Sequence, residues 1–345
     1  MTKTMRAAVF SEFGGPDVVG IRKMPVPEPG AGEVRVKVGA AAMNHLDLWV
    51  RRGLPIETPM PHIGGSDFAG TVDAVGPGAE SVPLGARVVV DPSLRFPWYD
   101  GQDRGPSFEE LPFQLIGEHT QGGFAEYAVV PADNLLEIPD DFPFTEAAAA
   151  GLVYVTAWRA LITRAALQPG ESVLITGASG GVGTAAIQVA AKAGAKVYAV
   201  TAGADKVRLC HELGAQVVYD RNEVSFSREV WRDTYKKGIH VVFDTVGESV
   251  WTDCLRSLAP GGRLVTSGAT TGSRGVTEIR LVFWKQLSIL GSTMGSPTEF
   301  RRVMRLVFDG SLQAVIHEVM PLADARRAHE VLESGKVFGK IVLVP

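Results

Sequence analysis

The stretch Gly177-Ala178-Ser179-Gly180-Gly181-Val182-Gly183 constrains this chain more than any other. The apolar run Ser172–Thr176 precedes it. In the segment that follows, Val182, Ala186, Val189 and Ala193 repeat at +4, +3 and +4, the spacing of one buried helical face. A second strand, Val197–Thr201, completes a βαβ unit. In such a unit Gly180 lets the backbone approach a pyrophosphate and Gly183 lets helix and strand pack closely, with Ala178 in the first glycine slot. The N–H groups of the first helical turn and a helix dipole of about half a positive charge attract phosphates. Glycine-rich turns also serve as plain connectors, but the complete βαβ context favours dinucleotide binding. Gly177, Ser179, Gly180, Gly181, Val182 and Gly183 are the candidate cofactor residues.

An NAD-type site places a carboxylate at the end of the second strand to hold the ribose 2′-hydroxyl. Here that strand ends in Thr201. With nothing there to repel a 2′-phosphate, NADPH is the expected cofactor, and Lys206 and Arg221 are the candidate cations beside it. The alternative for both is a solvated surface charge.

The chain is written in two grammars. To about residue 135 it consists of short alternating segments punctuated by Gly and Pro, such as Val34-Arg35-Val36-Lys37-Val38, Gly70–Gly76 and Arg87–Val90. These suggest a small closed barrel or sandwich. Residues 91–120 show no periodicity and read as a long surface lobe. From Thr145 strands and helices alternate, and the near-continuous apolar strands imply a parallel sheet covered on both faces. The tail, with an amphipathic helix around Phe300–Phe308 and a strand Lys340–Val344, resembles the first grammar again. The expected division is 1–135 with 291–345 for one domain and 136–290 for an inserted β/α domain.

A length of 345 residues suits two domains. The balance of 34 basic against 38 acidic residues, with no basic block, argues against nucleic-acid binding. Two cysteines, Cys210 and Cys254, support neither a disulfide framework nor a cysteine-rich zinc site. No apolar stretch reaches membrane-spanning length and the N-terminus does not read as a signal peptide, so a soluble cytoplasmic protein is expected.

The order of Asn44-His45-Leu46-Asp47, Gly65-Ser66-Asp67-Phe68-Ala69-Gly70, Gly76-Pro77-Gly78, the glycine turn, Ala259-Pro260-Gly261-Gly262-Arg263 and Gly339-Lys340-Ile341-Val342-Leu343 resembles the medium-chain dehydrogenase/reductase superfamily from end to end. The resemblance implies an α/β protein: a chaperonin-10-like β-barrel catalytic domain plus a Rossmann doubly wound cofactor domain, with the active site in the cleft between them. It also assigns cofactor contacts to Thr156, Gly268 and Lys340.

Two branches of that superfamily compete, zinc-dependent alcohol dehydrogenases and zinc-free quinone or enone reductases. Where the zinc branch has Cys, His, and Cys or Asp, this chain has Asn44, Ser66 and Leu152. Amide and hydroxyl are poor zinc donors and Leu donates nothing. The lobe where the family carries four structural-zinc cysteines has none. His45, His62 and His119 fit no metal-ligand spacing. The expectation is no zinc, and without that Lewis acid alcohol oxidation loses its driving element. Hydride transfer to a quinone or α,β-unsaturated carbonyl needs only hydrogen-bond donors at the acceptor oxygen and a later proton. Asn44 is the candidate donor, Ser66 a helper, and Asp47 and Arg51 orient the loop; Phe68, Trp49 and Tyr154 are candidate substrate walls. The alternatives are an alcohol dehydrogenase with a non-standard metal site and a nucleotide-binding protein with little turnover. Expected partners are a small-molecule acceptor and further copies of the chain. A dimer or tetramer is suggested by the apolar run Glu278–Leu290, near which the family places an intersubunit strand.

Overall fold

The computed structural model describes residues 3–95 and 114–345. Most of the expected surface lobe therefore lies outside the described residues. Two compact units emerge, one of Met1–Leu152 with Ser296–Pro345 and the other of Val153–Gly295. The divisions fall later than residues 135 and 290. Helix Phe144–Trp158 runs unbroken across the first of them, so no change of composition marks the point.

The first unit is built on a seven-stranded sheet. Its strand order is Ile316–Pro321, Lys340–Val344, Glu33–Ala42, Asp67–Val75, Arg87–Val90, Leu135–Glu137, and Tyr127–Pro131 also pairs with Glu33–Ala42. Alternation along Glu33–Ala42 does what its pattern requires: Val34, Val36 and Val38 are buried while Lys37 is exposed. Register shifts at Arg35/Val36 and Val38/Ala40 bend this sheet over its core. At Gly70 a Cβ would lie 2.1 Å from the Lys37 carbonyl oxygen, so only glycine allows the two strands to approach there.

The second unit is a six-stranded, wholly parallel sheet in the order Val217–Asp220, Lys196–Thr201, Ser172–Ile175, Ile239–Asp244, Leu258–Thr266, Ser288–Gly291. Chain order reverses between Ser172–Ile175 and Ile239–Asp244, which is the switch point of a doubly wound sheet. Helix Trp251–Ser257 ends where Leu258 begins the next strand. The apolar run Glu278–Leu290 holds two elements: helix Ile279–Trp284 precedes the edge strand Ser288–Gly291. Ile279, Phe283 and Trp284 are exposed on that helix. Among the described residues no helix is long and apolar enough to cross a membrane.

Candidate active site

In the first unit, sheet register gathers the polar residues. Strand Lys340–Val344 pairs antiparallel with Glu33–Ala42, Val342 opposite Ala42 and Leu343 opposite Ala41, and the Met43 N–H donates to the Ile341 carbonyl at 2.9 Å. Continuing that register places Lys340 beside Asn44, although 296 positions separate them. On the other side Ala42 pairs with Asp67. Asn44 then caps helix His45–Arg52, and its backbone N–H donates to Asp47 Oδ2 at 2.7 Å. Asp47 Oδ1 accepts the Gly65 N–H at 3.0 Å, tying the helix to the loop before Ser66. Arg51 donates from Nε to the Gly14 carbonyl and pairs with Glu333, outside the cluster.

Asn44, Asp67 and Lys340 form a closed triangle. Lys340 Nζ lies 2.5 Å from Asn44 Oδ1 and 3.1 Å from Asp67 Oδ2, and Asn44 Nδ2 donates to Asp67 Oδ2 at 2.9 Å. Asp67 Oδ1 accepts the Leu152 N–H at 2.8 Å, so position 152 contributes its backbone. Burial raises the Asp47 carboxyl to about 6, against the hydrogen bonds from Asn44 and Gly65. Burial lowers Lys340, while Asp67 and Asp47 favour its charged form. Ser66 is wholly buried, and its Oγ has no hydrogen-bond partner among the described residues.

Several expected residues stand elsewhere. Phe68 and Tyr154 are core residues at 0% and 1% exposure, so neither forms an open wall. Trp49 is half-buried under the Arg52 guanidinium. His62 Nε2 donates to the Gly117 carbonyl at 3.0 Å. His119 Nδ1 accepts the Leu115 N–H. Lys340, which the family resemblance grouped with the cofactor contacts, has its ammonium in the Asn44 cluster.

In the second unit, Gly177 takes a left-handed φ of +59° and the Ala178 N–H donates to the Val200 carbonyl. Helix Gly181–Lys192 starts after Gly180, which has no side chain to cap it, leaving its first-turn N–H groups without a side-chain acceptor. A Cβ at Gly183 would lie 2.3 Å from the Gly177 carbonyl oxygen, whereas one at Gly180 would meet only that atom, at 3.5 Å. The turn thus packs tightly at Gly183 and is open at Gly180, which suits a dinucleotide. The sequence reading missed Asp244. It is fully buried and accepts from Thr176 Oγ1 at 2.5 Å and from the Val246 and Gly247 N–H groups at 3.0 Å. It joins the two strand ends at the switch point. A Cβ at Gly268 would lie 2.7 Å from the Thr245 carbonyl oxygen. Thr156 is buried, with Oγ1 3.9 Å from Met294 Sδ.

At the end of the second strand, Thr201 is buried with an unpartnered Oγ1, and the Arg221 N–H donates to its carbonyl at 2.9 Å. Lys206 lies close enough to Arg221 for its pKa to be lowered, by burial first and then by that charge. Asp220, in register with Thr201, is a carboxylate the sequence reading did not weigh. It accepts the Gly203 and Asn222 N–H groups, each at 2.9 Å.

One unit is thus a doubly wound sheet with this turn, and the other is a bent, mostly antiparallel sheet carrying a buried polar cluster. Residues 30–140 match the alcohol dehydrogenase GroES-like domain and residues 181–309 the zinc-binding dehydrogenase family. Human quinone oxidoreductase is 32% identical over 99% of this chain and 98% of its own length. The crystal structure of an NAD-dependent alcohol dehydrogenase is 41% identical with a TM-score of 0.92, covering 99% of this chain and 100% of that one. The structure of crotonyl-CoA carboxylase/reductase AntE in complex with NADP is 26% identical with a TM-score of 0.89, covering 99% and 95%. The chain belongs to the medium-chain dehydrogenase/reductase superfamily.

The zinc of that family description does not fit the residues present. Asn44, Ser66 and Leu152 are an amide, a hydroxyl and an alkyl group, and of the carboxylates beside them Asp67 pairs with the Lys340 ammonium and Asp47 with two backbone N–H groups. Among the described residues no group of three His, Cys, Asp or Glu is placed to hold a metal ion.

Proposed function

We propose that this chain is a zinc-free, NADPH-dependent reductase of quinones or α,β-unsaturated carbonyls, working in the cytoplasm. The observation that carries this reading is the Asn44–Asp67–Lys340 triangle: a neutral amide N–H donor held between a carboxylate and an ammonium where a zinc enzyme needs metal ligands. The likeness to human quinone oxidoreductase and to AntE bound to NADP supports it.

Gly180–Gly183, with Thr201, Lys206 and Arg221, would hold the dinucleotide, which when bound supplies the hydride. Asn44 Nδ2 has two hydrogens, and Asp67 takes one. The second is the donor to the acceptor oxygen on which negative charge builds. Asp47 fixes the Asn44 backbone and Asp67 the amide, so the donor needs little reorganisation. The final proton comes from water.

The test is NADPH oxidation against a panel of quinones, enals and alcohols, with metal content measured on the same sample. Turnover of quinones or enals without stoichiometric zinc is expected. A second reading, alcohol oxidation with NAD, draws on the 41% identical alcohol dehydrogenase structure. Alcohol turnover that depends on a bound metal would establish it instead.

The exposed Ile279, Phe283 and Trp284, beside the edge strand Ser288–Gly291, support a homo-oligomer formed through this unit. Light scattering at micromolar concentration is expected to give a dimer or tetramer, and a monomer counts against it.

A further inference from the structure

Asn44, Asp67 and Lys340 come from three distant segments, and the chemistry of each contact admits one assignment. An ammonium has no acceptor, so the Asn44 atom 2.5 Å from Lys340 Nζ must be the carbonyl oxygen. An ionised carboxylate has no donor, so the Asn44 atom 2.9 Å from Asp67 Oδ2 must be the amide nitrogen. The opposite flip would set NH2 against an ammonium and a carbonyl oxygen against a carboxylate. Both clashes would fall where Lys340 is 3%, Asp67 1% and Asn44 7% exposed. Asp67 cannot turn aside, because its other oxygen is held by the Leu152 N–H. Asp67 and Asp47 also offset the penalty that burial places on the ammonium.

We propose that Lys340 is a positioning residue that acts through Asn44: with Asp67 it locks the amide so that the second Nδ2–H is always the group offered to the acceptor oxygen. This rests on the reading of Asn44 as that oxygen's donor. It departs from the cofactor-contact role that family resemblance assigns to Lys340. Removing the ammonium leaves Asp67 as the amide's one anchor, so the second Nδ2–H is no longer held at a fixed angle toward the developing charge.

The experiment compares Lys340→Ala, Asn44→Ala and the double variant in the full chain. The acceptor is the quinone or enone of the panel that the wild-type chain reduces fastest. Lys340→Ala is expected to lower kcat by about 100-fold, as loss of one oriented donor does, with the NADPH dissociation constant within about twofold of wild type. Methylammonium, which returns a cationic donor, is expected to restore part of that kcat, and methanol at the same concentration is not. In the Asn44→Ala background, Lys340→Ala is expected to cost nothing further.

Lys340→Ala with wild-type kcat overturns the proposal. So does a loss confined to NADPH affinity, which returns Lys340 to the cofactor, and so do additive losses in the double variant. Asn44→Ala with undiminished kcat overturns the underlying reading, whatever Lys340 does. Should Lys340→Ala not fold, Lys340→Met with Asp67→Asn removes both buried charges, and the same loss of kcat is expected from it; wild-type kcat there overturns the proposal.

Discussion

In the turn at residues 177–183 the backbone is the working surface, whereas around Asn44 the side chains are. Gly183 matters because a side chain there would occupy the space of the Gly177 carbonyl. Among the described residues the turn is held by backbone contacts such as the Ala178 N–H to the Val200 carbonyl. The Asn44 cluster has the opposite construction: strand register delivers each member, and each holds its place through a partner of complementary charge or hydrogen-bonding sense. A backbone site is therefore broken by added volume. A side-chain site is broken by removing one partner, even when volume is kept.

The largest effect that probes this contrast is expected from Gly183→Val. Its Cβ would meet the Gly177 carbonyl oxygen at 2.3 Å and Ala178 Cα at 2.7 Å, backbone atoms with little freedom to yield. Overpacking of this kind costs about 1–3 kcal/mol. If the strain falls on the turn, NADPH affinity drops by up to about 100-fold. Gly180→Ala, where the space is open to 3.5 Å, should change affinity far less. Isothermal titration with NADPH measures both. Equal losses for the two variants would show that the turn is not shaped by close approach at Gly183.

The next effect tests where side chains take over within the cofactor unit. A charge-assisted phosphate contact contributes about 1.5–3 kcal/mol, and partial exposure of Lys206 and Arg221 pulls the resulting NADPH preference to about tenfold. Thr201→Asp should reverse that preference. Lys206→Ala or Arg221→Ala should erode it without harming NADH use. Asp220 works against the two cations, but two backbone N–H groups already occupy it. Equal wild-type affinity for NADH and NADPH would reduce Lys206 and Arg221 to surface charges.

The same contrast explains what was legible in the sequence. The turn is local: strand, glycines and helix follow one another, and the doubly wound sheet could be read from that grammar. Asn44, Asp47 and Ser66 were legible through the family resemblance. The partnership of Lys340 with them was not, since it follows from the pairing of Val342 with Ala42, a long-range register that no local pattern encodes. Asp244 escaped for a related reason. It ends an apolar strand, and its task appears only when the strand carrying Thr176 lies beside it. The helix within 278–290 was hidden by an apolar run short enough to suit either strand or helix.

The smallest expected effect separates two buried carboxyls near the cluster. Asp47 is held by the Asn44 and Gly65 N–H groups, whereas the Glu118 carboxyl lies 3.8 Å from His119 Nδ1 among the described residues. Burial, and then the charge of Asp47, raise Glu118 from 4.5 to about 7. Folding therefore disfavours its ionised form. The cost is present in full above about pH 7 and fades as pH falls toward 4.5, because the folded chain takes up a proton before the unfolded chain does. Glu118→Gln removes that cost. It is expected to stabilise the protein at pH 8 by about 1–2 kcal/mol, below the full value of about 1.4 kcal/mol per pKa unit because some solvent reaches the group. The gain should at least halve by pH 5, as followed by urea unfolding. Asp47→Asn should instead destabilise at both pH values, since an amide cannot accept both N–H groups through its two ends. A stabilising Asp47→Asn would mean that relief of the burial that already raises this carboxyl exceeds the loss of its two N–H partners, and the cluster would then owe its order to Lys340 and Asp67 alone.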